Sequence, residues 1–420
     1  MTIGLLDLND ANLQLWHGDT RVQSPGYVLL QGQQYRFGAA ARAAARLQPR
    51  EINTRYWWQL STEVLQPALG PARHTGDLVH AHLRQLHQEA NNPDEILLAV
   101  SGSMQREQLA LLLGIVQQCP FDAVGLVNRS VALGSLYNLS ERLFHLEIQL
   151  HQAVVSELAV RDNTVELQRT TPLPGCGLLQ LQERLVEIIA AEFVRQTRFD
   201  PRRKAATEQQ LYDALPTALR TLQTRVETNV DVNGYQARIS AHQLQGGGQR
   251  LFDSARECMG LLHPDDHVLV DPLAALLPGL GSAFTRLEIV GAEDVRRALQ
   301  LHQELLIQRA QALTFVTVLP CPEQKIVPRA ESVGASLAAT PVVTRPTHLL
   351  YRHVARPLAV SGTALEGGGE LYWSQQGWQL RGTGSAMVNG TAYLPGHVLA
   401  TGDAITIGGG QTGVLIEVVA

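Results

Sequence analysis

The chain has 420 residues, 45% hydrophobic and 17% charged, with a formal net charge of −5. That length supports two or three domains with substantial cores, and the composition excludes a disordered chain. The negative balance offers no basic surface for nucleic acid, and no apolar run approaches the roughly 20 residues that cross a bilayer.

With no basic segment ahead of the first apolar stretch, the expected setting is soluble and cytoplasmic. Residues 4–8 and 13–16 read as two short strands folded around Asn9-Asp10-Ala11-Asn12. Further strand-like runs fall at 96–100, 123–127 and 144–155, separated by helical stretches at 77–90 and 105–118. Strands alternating with helices imply an α/β layer fold. Ser101-Gly102-Ser103 joins a strand to a helix, a turn type that sometimes binds ligands at the helix N-terminus.

From 177 to 225 the pattern is helical. Leu181, Leu185, Ile188, Ile189 and Phe193 form one apolar stripe, and residues 212–222 a second that Pro216 kinks or starts. Residues 225–239 form a hairpin about Asn233-Gly234. Gly246-Gly247-Gly248 then reads as a loop, followed by a strand at 267–270 and a last helix at 293–306. Residues 313–346 read as a Pro-rich linker, and 347–420 as a small all-β domain of short strands and many glycines.

The four cysteines are too scattered for a disulfide framework or a zinc site. His80, His82 and His87 make the densest histidine group, but at helical spacing His80 and His82 point to different faces, and the three read as solvated helix histidines. No metal site is expected. The sequons at Asn128, Asn138 and Asn389 carry little meaning without a secretion signal.

The first hairpin with Asp7, the strand, glycine and helix pattern at 27–41, the strands at 97–100 and 123–127, the hairpin near 146–158 and the helix bearing Arg220 occur in one order. In that order they resemble the nucleotide-binding domain of the DnaK-type heat-shock chaperones, relatives of actin. The resemblance spans roughly residues 1–312 and implies a two-lobed fold of duplicated ribonuclease-H-like units that binds ATP and Mg²⁺. It makes Asp7 the residue that acts through Mg²⁺ and water, with Asn9 and Arg220 beside the nucleotide.

Carried over position by position, most of that chemistry is replaced. Asn9 stands where the family has a glycine, Thr54 beside Arg55 where it has a lysine, and Arg129 where it has the hinge glutamate. The second phosphate hairpin, Leu146-Glu147-Ile148-Gln149-Leu150-His151, contains no glycine. Pro216, Leu219 and Gln223 replace adenosine-contacting residues and leave only Arg220, and Asp271-Pro272-Leu273 replaces the adenosine glycines. Phosphoryl transfer depends on backbone amides and Mg²⁺ offsetting the triphosphate charge. Bulky turns, with Asp10 and Glu147 adding negative charge, oppose it. Asp7 then reads as a turn aspartate capping its own hairpin rather than as a magnesium residue.

At the other end, the stretch Ser385-Ala386-Met387-Val388-Asn389-Gly390 and the run 399–408 resemble the late strands of a forkhead-associated domain. That resemblance implies a phosphothreonine reader, with Asn389 at the binding turn. The arginine and the serine–histidine pair such readers use are not visible, and Asn389 has a sufficient alternative role in a turn with positive φ. Another small β fold remains the alternative.

The expected function is a pseudo-ATPase adaptor or scaffold that needs no cofactor. Its expected partners are proteins, a chaperone-family or actin-fold protein among them, rather than nucleic acid, membrane or a phosphopeptide. The alternative is a divergent ATP-binding ATPase of the chaperone family.

Overall fold

The computed structural model describes residues 3–137, 139–309 and 312–321, and from 346 to 416 all but 352–353, 360, 366–367, 375–376, 383–385, 390, 395–396 and 408–411. Asn138, most of the expected linker, and Ser385 and Gly390 of the expected turn motif lie outside the described residues. The chain divides into two compact units, Met1–Gly334 and Ala335–Ala420.

The first unit is mixed α/β. One six-stranded sheet is built on Gly4–Leu8, which pairs antiparallel with Leu13–His17 on one side and parallel with Glu95–Val100 on the other. Thr20–Ser24 extends the antiparallel side, and Asp122–Asn128 with Phe315–Val316 extends the parallel side. The second sheet repeats this arrangement. Arg142–Ile148 pairs antiparallel with Gln152–Arg161, which pairs with Thr164–Pro174, while His267–Val270 and Leu287–Ile289 continue in parallel on the other flank.

Alternation along the strands explains how the sheets face each other. In Gly4–Leu8 every residue is buried, as expected for a strand covered on both faces. Leu6 and Leu8 enter a core with Leu78, Leu83 and Leu98. Leu5 enters a different core with Leu97 and Val127 of its own sheet and Leu143, Leu158 and Leu269 of the second. In Arg142–Ile148 the odd residues follow Leu143 into this shared core, while Phe144, Leu146 and Ile148 pack beneath the helices of the second sheet. Side chains repeat with period two, so Asp7, His145 and Glu147 all point towards the space between the sheets.

Gly246-Gly247-Gly248 is not a loop. Helix Ala241–Met259 runs through it, capped by Ser240 and Gln243. A Cβ at Gly247 would lie 2.5 Å from Leu185 Cδ2, so glycine here permits close helix packing, and that packing outweighs its low helix propensity. Helix Ala205–Leu222 likewise runs through Pro216, with Leu211, Leu215, Ala218, Leu219 and Leu222 buried around it. Within the stretch read as linker, Phe315–Val316 and Val318–Pro320 are strands on the edges of the two sheets.

The solvated reading of the helix histidines fails for two of the three, because His82 and His87 are buried. His82 stacks on Phe37 and accepts at Nδ1 from the Trp57 indole N–H, 3.1 Å away. That bond leaves Nε2 protonated towards Ser24 Oγ at 2.8 Å. The serine–histidine contact therefore runs the wrong way for the imidazole to take a serine proton. Burial pushes His82 down to about 3, so it stays neutral.

The described residues of the second unit form strands and no helix. One sheet joins His348–Tyr351 to Val354–Pro357 and Gly413–Ile416, and continues through Ala404–Ile407 and Ala386–Val388 to Thr391–Ala392. A second sheet comprises Thr363–Leu365, Gly369–Ser374 and Gly377–Gly382. Leu349, Leu371, Trp378, Ile405 and Leu415 form the core.

Candidate functional site

Four charged residues converge at the C-terminal ends of four strands, where ligands gather in open α/β sheets. Asp7 lies one residue before the end of Gly4–Leu8, and Glu147 one before the end of Arg142–Ile148. Asp271 directly follows His267–Val270, and Arg129 directly follows Asp122–Asn128. Arg129 opens a short helix whose preceding residue, Asn128, caps the Val131 amide at 3.0 Å.

The Arg129 side chain fills the centre. Its Nε donates to Asp7 Oδ1 at 2.7 Å, and its Nη1 donates to Asp271 Oδ1 at 3.0 Å and Oδ2 at 3.2 Å. Glu147 Oε2 is 3.7 Å from the same nitrogen. His145 reaches Asp271 at 3.4 Å and Ser130 Oγ at 2.8 Å. All of these side chains are buried. One guanidinium thus holds carboxylates from both sheets.

The charges do not balance, and the acids respond. Burial pushes Asp7 and Glu147 above the usual carboxylate range despite the neighbouring guanidinium. Burial acts on Asp271 too, but the Arg129 charge and the His145 bond together outweigh it and hold this carboxyl low. Arg129 is also desolvated, yet the three acids keep it charged. Asp7 Oδ2 and Glu147 Oε2 are buried without a hydrogen bond.

Four backbone amides of the two turns donate to protein acceptors. In the first turn, Ala11 N donates to Asn9 Oδ1 and Asn12 N to Asn9 O, each at 2.9 Å. In the second, Leu150 N donates to Asp10 Oδ1 at 2.8 Å and Gln149 N to Gln152 O at 2.9 Å. The Asp10 carboxylate receives the kind of amide bond that a phosphate oxygen would need. Burial pushes Asp10 up to about 7, opposed by the Leu150 bond and assisted by Glu147.

The next anion-binding element is closed as well. The N-terminus of helix Leu178–Thr197 donates to the second turn itself, from Leu178 N to Gln149 O at 2.8 Å and from Leu179 N to Leu150 O at 3.1 Å. Gly177 allows this approach, since a Cβ there would lie 2.3 Å from the His151 carbonyl carbon. The residues present therefore do not fit Mg²⁺-ATP. The acids that would carry the metal are held by a guanidinium, and the amides of Ala11, Asn12, Gln149 and Leu150 already have partners. Among the described residues, no group of three or more His, Cys, Asp or Glu is arranged to hold a metal ion. No described helix is long and apolar enough to cross a membrane.

Asn9 belongs to this centre, donating to Ile148 O at 3.1 Å and to Asp271 Oδ2 at 3.4 Å. Thr54 meets the second turn through His151, with Oγ1 and Nε2 3.0 Å apart. Arg220 is not brought to the site. It is exposed on the last turn of helix Ala205–Leu222. In the second unit, Asn389 has φ 53° and its amide bonds within its own turn region, donating to Asp403 Oδ1 at 2.8 Å and accepting from Ala404 N at 2.9 Å. Sequence reasoning identified the charge reversal at Arg129 but not its partners. The available signal was His145 and Glu147 alternating with apolar residues on one strand face.

No family model matches the chain. Over 88 residues it is 39% identical to a tRNA N6-adenosine threonylcarbamoyltransferase of Paracidovorax citrulli (strain AAC00-1), a match covering 20% of this chain. The chain spans about a quarter (24%) of the length of that curated relative.

Proposed function

We propose that the first unit is a non-catalytic form of the duplicated ribonuclease-H-like fold of actin and the DnaK-type chaperones, and that the chain is an adaptor or scaffold for protein partners. The repeated strand order of the two sheets supports the fold reading. The observation that carries the functional reading is Arg129, buried between Asp7 and Asp271 where a metal–phosphate group would need those acids free.

A locked centre leaves surface and shape as the working parts. The second unit suits a docking role as a forkhead-associated-like module. Because Asn389 is spent on its own turn, phosphothreonine reading is the less favoured role for it. A DnaK-type chaperone or another actin-fold protein is the proposed partner class.

The partial likeness to a transferase favours a second, enzymatic reading. It is weakened by the short span of that match and by the occupied centre.

The test pairs two measurements on the full chain, ATP turnover with Mg²⁺ and capture of a purified DnaK-type chaperone. The expected outcome is no turnover, with capture lost when residues 347–420 are removed. Turnover abolished by Asp7→Ala would overturn the pseudoenzyme reading, and capture unchanged by the deletion would remove the second unit from the adaptor role.

A further inference from the structure

Beside the Arg129 centre, the first unit contains a cavity of about 210 Å³ between the two hairpin turns and the turn 101–104. Its walls include Asp10, Trp57, Trp58, Ser103, Gln149 and Gln152. No Lys, Arg or His lines it among the described residues.

We propose that this cavity binds a small uncharged, hydroxyl-rich molecule of about monosaccharide size. The lining selects by exclusion. A phosphate or carboxylate would enter without a counter-charge and would meet the Asp10 carboxyl. A cation would find only that one carboxyl, with an oxygen already bonded to Leu150 N. An apolar ligand would strip water from serine and glutamine groups without replacing its hydrogen bonds, costing roughly 1–3 kcal/mol for each.

A polyol satisfies both kinds of wall. Trp57 is largely buried and spends its only polar atom on His82, so the part of it that reaches the cavity wall is carbon. Trp58 is held flat against His151, with ring centroids 5.1 Å apart. Facing them is a preset chain of neutral groups. Ser101 bonds Ser103 at 3.1 Å, Gln149 donates to Ser103 at 3.2 Å, and Gln152 donates to Gln149 at 2.8 Å. That last bond uses Gln152 Nε2 and leaves its carbonyl to accept a hydroxyl. Gln149 also donates to Glu147 at 2.8 Å, so the chain ends at the Arg129 centre.

The proposal does not depend on the adaptor reading, because failure to bind a polyol would leave nucleotide exclusion by Arg129 untouched. Saturation-transfer NMR and thermal unfolding of the full chain would be run with glucose, galactose, N-acetylglucosamine and myo-inositol, alongside glucose 6-phosphate and adenosine. At least one neutral polyol is expected to bind in the millimolar range or tighter. Its affinity should fall about tenfold or more in both Trp58→Ala and Gln152→Ala, and the phosphate ester should bind about tenfold more weakly than glucose. The partly exposed positions of Trp58 and Gln152 make these variants mild for folding. No binding by any neutral polyol, equal or tighter binding of the phosphate ester, binding of adenosine alone, or binding that survives both substitutions would each overturn the proposal.

Discussion

Arg129 and Asp7 meet at 2.7 Å across 122 positions of sequence, each at the end of a parallel strand and both buried. Through the same guanidinium Asp7 is linked to Asp271, which belongs to the second sheet. A position the chaperone resemblance assigns to a glutamate thus carries an internal cation that joins the sheets through their acids.

Removing that cation leaves three buried carboxylates without compensation. Arg129→Ala is expected to destabilise the first unit by about 3–5 kcal/mol in urea titrations near neutral pH. Millimolar Mg²⁺ or Ca²⁺ should recover part of the loss in the variant and do nothing for the wild type. A loss below about 1 kcal/mol would show that the guanidinium is not the tie described here.

The three acids are not equivalent. Glu147 is pushed up by burial and lies 3.7 Å from Arg129, so Glu147→Gln should change stability by less than about 1 kcal/mol or increase it. Asp271 is held low and receives the Arg129 and His145 bonds, so Asp271→Asn should cost on the order of 2–3 kcal/mol. Chemical denaturation of the two variants side by side checks the order.

Asp10 gives a pH signature. Its folded value of about 7 lies above the ordinary 3.8, so between these values the folded state holds a proton that the unfolded chain has lost. Its contribution is therefore complete below about pH 4 and is lost as pH rises towards 7. The stability difference between wild type and Asp10→Asn should move against the wild type from pH 5 to 7.5, by on the order of 2 kcal/mol. His82 has the opposite sign. It is pushed down to about 3, so its contribution is lost as pH falls below the ordinary 6.5. The difference between the two proteins, rather than the wild-type curve, isolates Asp10.

In the second unit, Asn389→Ala would put alanine, which tolerates left-handed backbone less well than asparagine, at φ 53° and remove two hydrogen bonds. A destabilisation of about 2–3 kcal/mol is expected. Wild type should show no binding of phosphothreonine peptides by fluorescence anisotropy.

Much of the strand framework was legible from local pattern. The first hairpin, the strands near 96–100 and 123–127, and the Asn233-Gly234 hairpin each announce themselves within a few residues. The centre was legible only as parts. Arg129 read as a charge reversal and Glu147 as added repulsion. Their partnership spans two sheets, and neither helical nor strand periodicity reports contacts over such separations. The glycines at 246–248 misled because propensity alone treats glycine as a breaker, whereas here the missing side chains admit Leu185 and Phe252. His82 misled because helical spacing gives a direction but not what covers that face. The Trp57 and Phe37 rings that bury it come from distant segments.

The proposed exclusion of Mg²⁺-ATP rests on Arg129 and on the bonded amides of Ala11, Asn12, Gln149 and Leu150. It is tested most directly by thermal unfolding of the full chain with and without millimolar Mg²⁺-ATP. A ligand at a hundredfold over its dissociation constant adds about 2.7 kcal/mol to stability. No upward shift is expected for the wild type, whereas a clear rise that disappears in Asp7→Ala would contradict the account.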